Sequence, residues 1–410
     1  MRNSRILVLR QQAFLGNFAT IMIAIALLLT ALSCKNDQIK PVPSDTVKID
    51  SAKQAAALAN VEDYEDSGAK WGYIDKVGKL VIPPSYEDAS NFVGGLAAVR
   101  VQDKWGFVNT KGDTIVPFQY KAAWTFSGNM ARVLSQEGKI GFINKKGAWV
   151  ITPRYDEAQD FSEGLAVVQV KNTFGYVNSG GKTIIPAIFD QAWRFEKDVA
   201  KVKYKGKFAL INKKGRYILR PKYDKLSNFY QGVARIQLGE KFGFVNNKGE
   251  FLIKPKYKNA RDYRLGLAAV ADSTGLFGLA DKKGKFVVQA KYDDIWAISD
   301  SLWAIEQDDK YRIINHLGNE IFPVEYDEIH NFSEGIAGYR IGERWGFMDT
   351  HCTHITHPDY GLVWDFKEGL ARVALFNGVA FIDKKGELVI PPKYREIRSF
   401  SEGFARVLLK

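Results

Sequence analysis

From Lys70 onward, apolar and polar positions fall into a frame that repeats every 34 or 35 residues. An aromatic or aliphatic residue opens each copy at Trp71, Trp105, Ile140, Phe174, Phe208, Phe242, Phe277, Tyr311, Trp345 and Val379. A second aromatic stands fifteen residues later in every copy, from Tyr86, Tyr120 and Tyr155 through to Tyr394. Six positions further come Phe92, Phe126, Phe161 and their counterparts as far as Phe400, then a Gly-Leu-Ala step such as Gly95-Leu96-Ala97. A fixed period of this size means stacked units, none of which can bury its hydrophobic face alone. The two later aromatic columns are therefore expected in the shared core.

Each copy predicts the same short elements. Gly106 to Asn109 and Thr114 to Pro117 flank Asn109-Thr110-Lys111-Gly112, which is hairpin chemistry. Asn or Asp opens this turn in all ten copies, and Gly fills the left-handed position in nine, with Cys352 the exception. Prolines such as Pro83-Pro84, Pro117 and Pro391-Pro392 confine the second strand to a sheet edge or exit. A third strand, Leu96 to Val101, follows the Phe-x-x-Gly corner. The expected fold is all-β: a tandem array of ten repeats of about three strands each. An open superhelical array is favoured over a closed propeller-like ring, because ten units exceed the usual range of about four to eight blades. The ring has its own support, since the last strand, Phe404 to Leu408, is a natural partner for the first, Trp71 to Tyr73.

Lys70-Trp71-Gly72-Tyr73-Ile74-Asp75 and the stretch Tyr155-Asp156-Glu157-Ala158 to Phe161-Ser162-Glu163-Gly164-Leu165-Ala166 resemble the bacterial WG (KWG) repeat. The resemblance covers about five sixths of the chain. Phe208-Ala209, Tyr311-Arg312 and Val379-Ala380 depart from the Trp-Gly pair, so Trp is not individually required. The resemblance implies no particular activity.

Ahead of the array, Arg2, Arg5 and Arg10 precede an apolar stretch from Ala19 to Leu32, the pattern of an export signal over residues 1–33. Ala31-Leu32-Ser33-Cys34 resembles a bacterial lipobox, with Ala31 where Leu is commonest, which implies lipid attachment at Cys34. Residues 34–50, with Pro41 and Pro43, read as a polar tether. Residues 51–69 open with Ser51-Ala52-Lys53-Gln54, a capping box for a short helical cap on the repeat domain at 70–410. With Cys34 lipidated, Cys352 has no partner cysteine, so stability must come from the core.

Candidate chemistry is sparse. Trp124, Trp193 and Trp364 lie off the repeat columns and are the ligand candidates the fold does not demand, as, less strongly, are Trp149, Trp296 and Trp303. Lysines recur at the hairpin turns, including Lys145, Lys146, Lys213 and Lys214, and stacking would align them as a basic edge for an anionic partner. The formal charge of +12 falls to +9 once the signal's three arginines are removed, too little to specify nucleic acid. His351, Cys352, His354 and His357 form a metal-like cluster without standard zinc spacing; alternation would set His354 opposite His351 and His357. Glu163, Glu334, Glu368 and Glu402 recur at one repeat position, which suits a corner better than a unique acid–base pair. There is no Gly-x-Ser-x-Gly elbow, phosphate loop or His-Glu-x-x-His, and no cofactor is expected.

The expected role is a non-catalytic, lipid-anchored bacterial envelope protein at the outer membrane, facing the periplasm or the surface, with nucleic acid not expected as a partner. Its expected partners are the membrane, through Cys34, and an envelope protein or glycan. A glycan-processing enzyme and a structural spacer are the alternatives.

Overall fold

The computed structural model describes residues 70–409. The expected signal, lipid site Cys34, tether and helical cap lie outside the described residues.

Thirty-nine strands form ten antiparallel sheets. The first full sheet contains β3 (Asp88–Ala89), β4 (Leu96–Val101), β5 (Lys104–Asn109) and β6 (Thr114–Tyr120), side by side in that order. The all-β expectation and the ten units hold, but nine of the ten sheets hold four strands rather than about three. In eight sheets the additional strand is a dipeptide, as where Asp88 and Ala89 pair with Arg100 and Val99, and in two it is longer, Asn259–Arg264 and Asp294–Ala297. The dipeptide escapes a sequence reading because two residues show no alternation.

The sequence repeat and the blade are offset by half. Each copy begins with the third and fourth strands of one blade and finishes with the first two of the next. This offset leaves β1 (Trp71–Ile74) and β2 (Leu80–Tyr86) as half a blade, completed by the C-terminal strands Glu396–Ile397 and Ala405–Leu408. Trp71, Gly72, Tyr73 and Ile74 pair with Leu408, Val407, Arg406 and Ala405. Of the two closures considered, the ring is the one that forms. The blade-count preference for an open array is overruled because both terminal half-blades would otherwise expose an unpaired edge.

The seven-residue fourth strands alternate between buried and exposed positions, whereas second strands such as β4 are largely buried on both faces. Neighbouring blades splay apart with distance from the ring axis, so the alternating strands mark the outer rim and the dipeptide strands the inner edge.

The name-giving glycine has a backbone role. A Cβ at Gly106 would lie 2.6 Å from the Val116 carbonyl oxygen, at a register shift where β5 meets β6. All ten members of the Tyr86-to-Tyr394 column are buried. Between blades, Tyr73, Ile82 and Tyr86 pack with Phe92, Ala97 and Val99. One unit exchanges sizes: Trp303 replaces the alanine of the Gly-Leu-Ala step, and Ile298 replaces the phenylalanine. The indole is fully buried with Leu279 and Ile305, while Ile298 packs on the other side with Leu302 and Ala304. Trp303 is thus core, unavailable to a ligand.

Candidate functional site

The corners between the first and second strands of the blades carry the recurring acids. In Ser162-Glu163-Gly164-Leu165, Glu163 and Gly164 both have positive φ (51° and 85°), the geometry of a tight two-residue turn. Glu334, Glu368 and Glu402 share this strained backbone, and each side chain reaches the next corner. The Glu334 carboxylate accepts N–H bonds from Glu368 (2.6 Å) and Gly369 (3.0 Å). Glu368 does the same with Glu402 and Gly403, and Glu402 with Gly94 and Gly95 across the ring closure. Glu163 holds Lys197 and Asp198 in the same way. Partial burial acts to raise the Glu163, Glu334 and Glu368 carboxyls, but these N–H groups and a lysine outweigh it and hold each below the usual carboxylate range.

The lysines are those of the hairpin turns. Lys76 pairs with Glu368 (3.2 Å), Lys384 with Glu334 (3.2 Å), and Lys213 with Glu163 (3.1 Å) and Asp198 (2.7 Å). Lys145 donates to the Gly94 carbonyl at 3.0 Å. The expected basic edge therefore splits by turn position. Lys145 and Lys213, second in their turns, brace corners; Lys146 and Lys214, third in theirs, are exposed.

Trp124, Trp193 and Trp364 occupy one equivalent position in three blades, each half-buried just after the dipeptide strand. A cation covers each ring: the Arg132 guanidinium at 4.7 Å from the Trp124 centroid, Lys201 Nζ at 4.2 Å from Trp193, and Arg372 at 4.4 Å from Trp364. The cation then bonds the next blade. Arg132 donates to the Ala158 carbonyl and Asp160, Lys201 to the Leu226 carbonyl and Asn228, and Arg372 to the Ile397 carbonyl. Arg406 repeats the latch over Trp71, donating to the Ala89 carbonyl across the closure. Burial pushes the Lys201 ammonium below its ordinary pKa. Sequence reasoning missed these latches, although their signal is visible: Arg132, Lys201, Arg235, Arg372 and Arg406 each follow the alanine of their repeat.

The histidine cluster falls where one blade has only three regular strands. Its outer strand is replaced by an irregular segment bridged at Met348–His354 and Trp345–Tyr360, so the expected strand alternation does not apply. Cys352 takes the left-handed turn position (φ 61°) and is buried. His354 stacks on Tyr339 with ring centroids 4.3 Å apart, and its Nε2 lies 3.2 Å from the Tyr326 hydroxyl. His351 and His357 are exposed. Among the described residues, no three His, Cys, Asp or Glu side chains converge as a metal site.

The closed ring of ten repeated blades defines a propeller-like repeat protein whose recurrent charged side chains join one blade to the next. The family described as WG containing repeat matches ten times, at residues 71–105, 105–139, 140–173, 174–208, 209–242, 242–271, 277–311, 312–345, 345–378 and 380–410. The chain belongs to this family. No curated protein matches its sequence. Partial likeness extends to a eukaryotic initiation factor structure, with 12% identity over 70% of this chain and 94% of that one, at a TM-score of 0.44. The dihydro-heme d1 dehydrogenase NirN is 10% identical over 83% of this chain and 78% of its own, at 0.38. BamB from Moraxella catarrhalis is 13% identical over 68% and 89%, at 0.32.

Proposed function

We propose that this protein is a non-catalytic binding scaffold of the bacterial envelope, anchored through a lipid on Cys34 and presenting its ring to an envelope protein or glycan. The observation that carries the reading is the use of the recurrent acids: Glu163, Glu334, Glu368 and Glu402 are committed to joining corners. A carboxylate bonded to two backbone N–H groups is poorly suited to donate or shuttle a proton, the more so at Glu163, Glu334 and Glu368, whose carboxyls lie below the ordinary range. The start of the sequence, which resembles an export signal with a lipobox, supports the envelope setting, and the half-buried Trp124, Trp193 and Trp364 provide partly accessible rings on three blades.

Two measurements test it. Cys34→Ala is expected to abolish metabolic acyl labelling while leaving the thermal midpoint of the ring unchanged. Crosslinking capture on intact cells should recover one reproducible envelope partner. Turnover of envelope glycans by the purified protein, abolished by a single carboxylate substitution, would sink the binding reading.

A further inference from the structure

The positive charge of this chain is concentrated in one sector of the ring. Residues 201–291 contain 22 Lys and Arg against 6 Asp and Glu, a net of +16; the whole chain nets +12, so everything else nets −4. The sector includes three consecutive outer strands, Tyr217–Tyr223, Phe251–Tyr257 and Phe286–Tyr292. At the fourth and sixth places of these strands stand Arg220 and Lys222, Lys254 and Lys256, and Gln289 and Lys291, all exposed. The other seven-residue outer strands hold Pro83 and Ser85, Pro117 and Gln119, Pro186 and Ile188, or Pro323 and Glu325 at those places, and the one that begins at Trp149 holds Thr152 and a single cation, Arg154. None of the five rim cations lies in a salt bridge among the described residues. Each strand also begins with an aromatic: Tyr217 is 38% exposed, Phe251 42%, and Phe286 is half-buried.

We infer that the outer rim of these three blades is a docking surface for a linear acidic polysaccharide. This deepens the reading of the ring as a binding scaffold and rests on it. One module, an aromatic followed by two cations on the first two strands and by one on the third, recurs at blade spacing. That periodicity fits a polymer with a repeating anionic sugar better than the irregular surface of a globular protein. A flexible chain can follow the convex rim across three blades, whereas a flat bilayer meets a convex surface over a short arc. Partly exposed single rings suit stacking against a pyranose face; single-stranded nucleic acid uses stacking platforms for successive bases within a basic groove.

The test uses polygalacturonate as probe and neutral dextran as control, with binding followed by affinity electrophoresis of the purified protein across a salt series. Wild type should bind polygalacturonate, ignore dextran and lose affinity as salt rises. The combined change Arg220→Gln, Lys222→Gln, Lys254→Gln and Lys291→Gln should weaken binding about tenfold or more. Lys256 stays in place because it donates to the Gly284 carbonyl. Removing four exposed charges elsewhere, by Lys111→Gln, Lys121→Gln, Lys146→Gln and Lys385→Gln, should change binding less than about threefold. Tyr217→Ala with Phe251→Ala should weaken binding while preserving its salt slope. An unchanged rim variant, equal losses in both charge variants, or tighter binding of phosphatidylglycerol vesicles or oligo-dT than of polygalacturonate would overturn the inference. A cellular partner still captured under any of those results would leave the broader scaffold reading standing.

Discussion

At the scale of residues, each repeated position has one physical demand, and the turn shows it most sharply. Asn144 Oδ1 accepts N–H bonds from Lys146 and Ala148, and Gly147 follows at φ 80°. A Cβ there would sit 3.0 Å from a Val116 methyl of the neighbouring blade, so both backbone and packing oppose a side chain. Gly147→Val should cost on the order of 1–3 kcal/mol, whereas exposed Lys146→Ala should stay within about 0.5 kcal/mol. Denaturant midpoints of the two variants check this; equal midpoints would refute it. The turn residues and buried aromatic columns were legible because each recurs at a fixed place in the repeat frame. The Arg132, Lys201 and Arg372 latches were not, because their partners lie 25 or more residues away in another blade.

At the scale of elements, the corner hairpins behave as a linked series. Glu163, Glu334 and Glu368 have folded-state pKa values below the ordinary carboxylate value. The stability they contribute is therefore fully present above that ordinary value and is lost as pH falls through the depressed one. The thermal midpoint should stay nearly level down to about pH 5 and then fall. Glu334→Gln with Glu368→Gln should start lower at neutral pH and fall less steeply in acid. Thermal melts from neutral pH into acid provide the check, and parallel curves for the two proteins would exclude the corners as the acid-sensitive element. The recurrence of the glutamates marked them as corner residues; that each grips the following corner depends on the curvature that brings corners together.

At the scale of the whole molecule, closure joins residues more than 300 positions apart. Ser401 donates to the Phe92 carbonyl at 2.8 Å and Tyr394 to the Gly78 carbonyl at 3.2 Å, beside the strand pairing of Trp71–Ile74. Truncation after Phe404 would remove buried Ala405, Val407 and Leu408 and leave the first strand without that neighbour. The expected loss is about 3–5 kcal/mol from the apolar burial, with faster amide exchange at Gly72 and Ile74. An open array would lose order at the C-terminal end alone, so unchanged exchange in the first strand would contradict the ring.

The sequence by itself determined the ten units, their β character, the Asn/Asp-to-Gly turns and the buried aromatic columns, because these follow from periodicity and local turn chemistry. It also contained the clustering of charge within residues 201–291. Tertiary structure decided the closure, the dipeptide strands, the division of turn lysines between corner braces and exposed groups, and the exchange of Trp303 with Ile298. Each of those depends on how one blade meets the next. A repeat specifies its own strands, but the small rotation between neighbours, summed over ten units, decides whether the two ends meet.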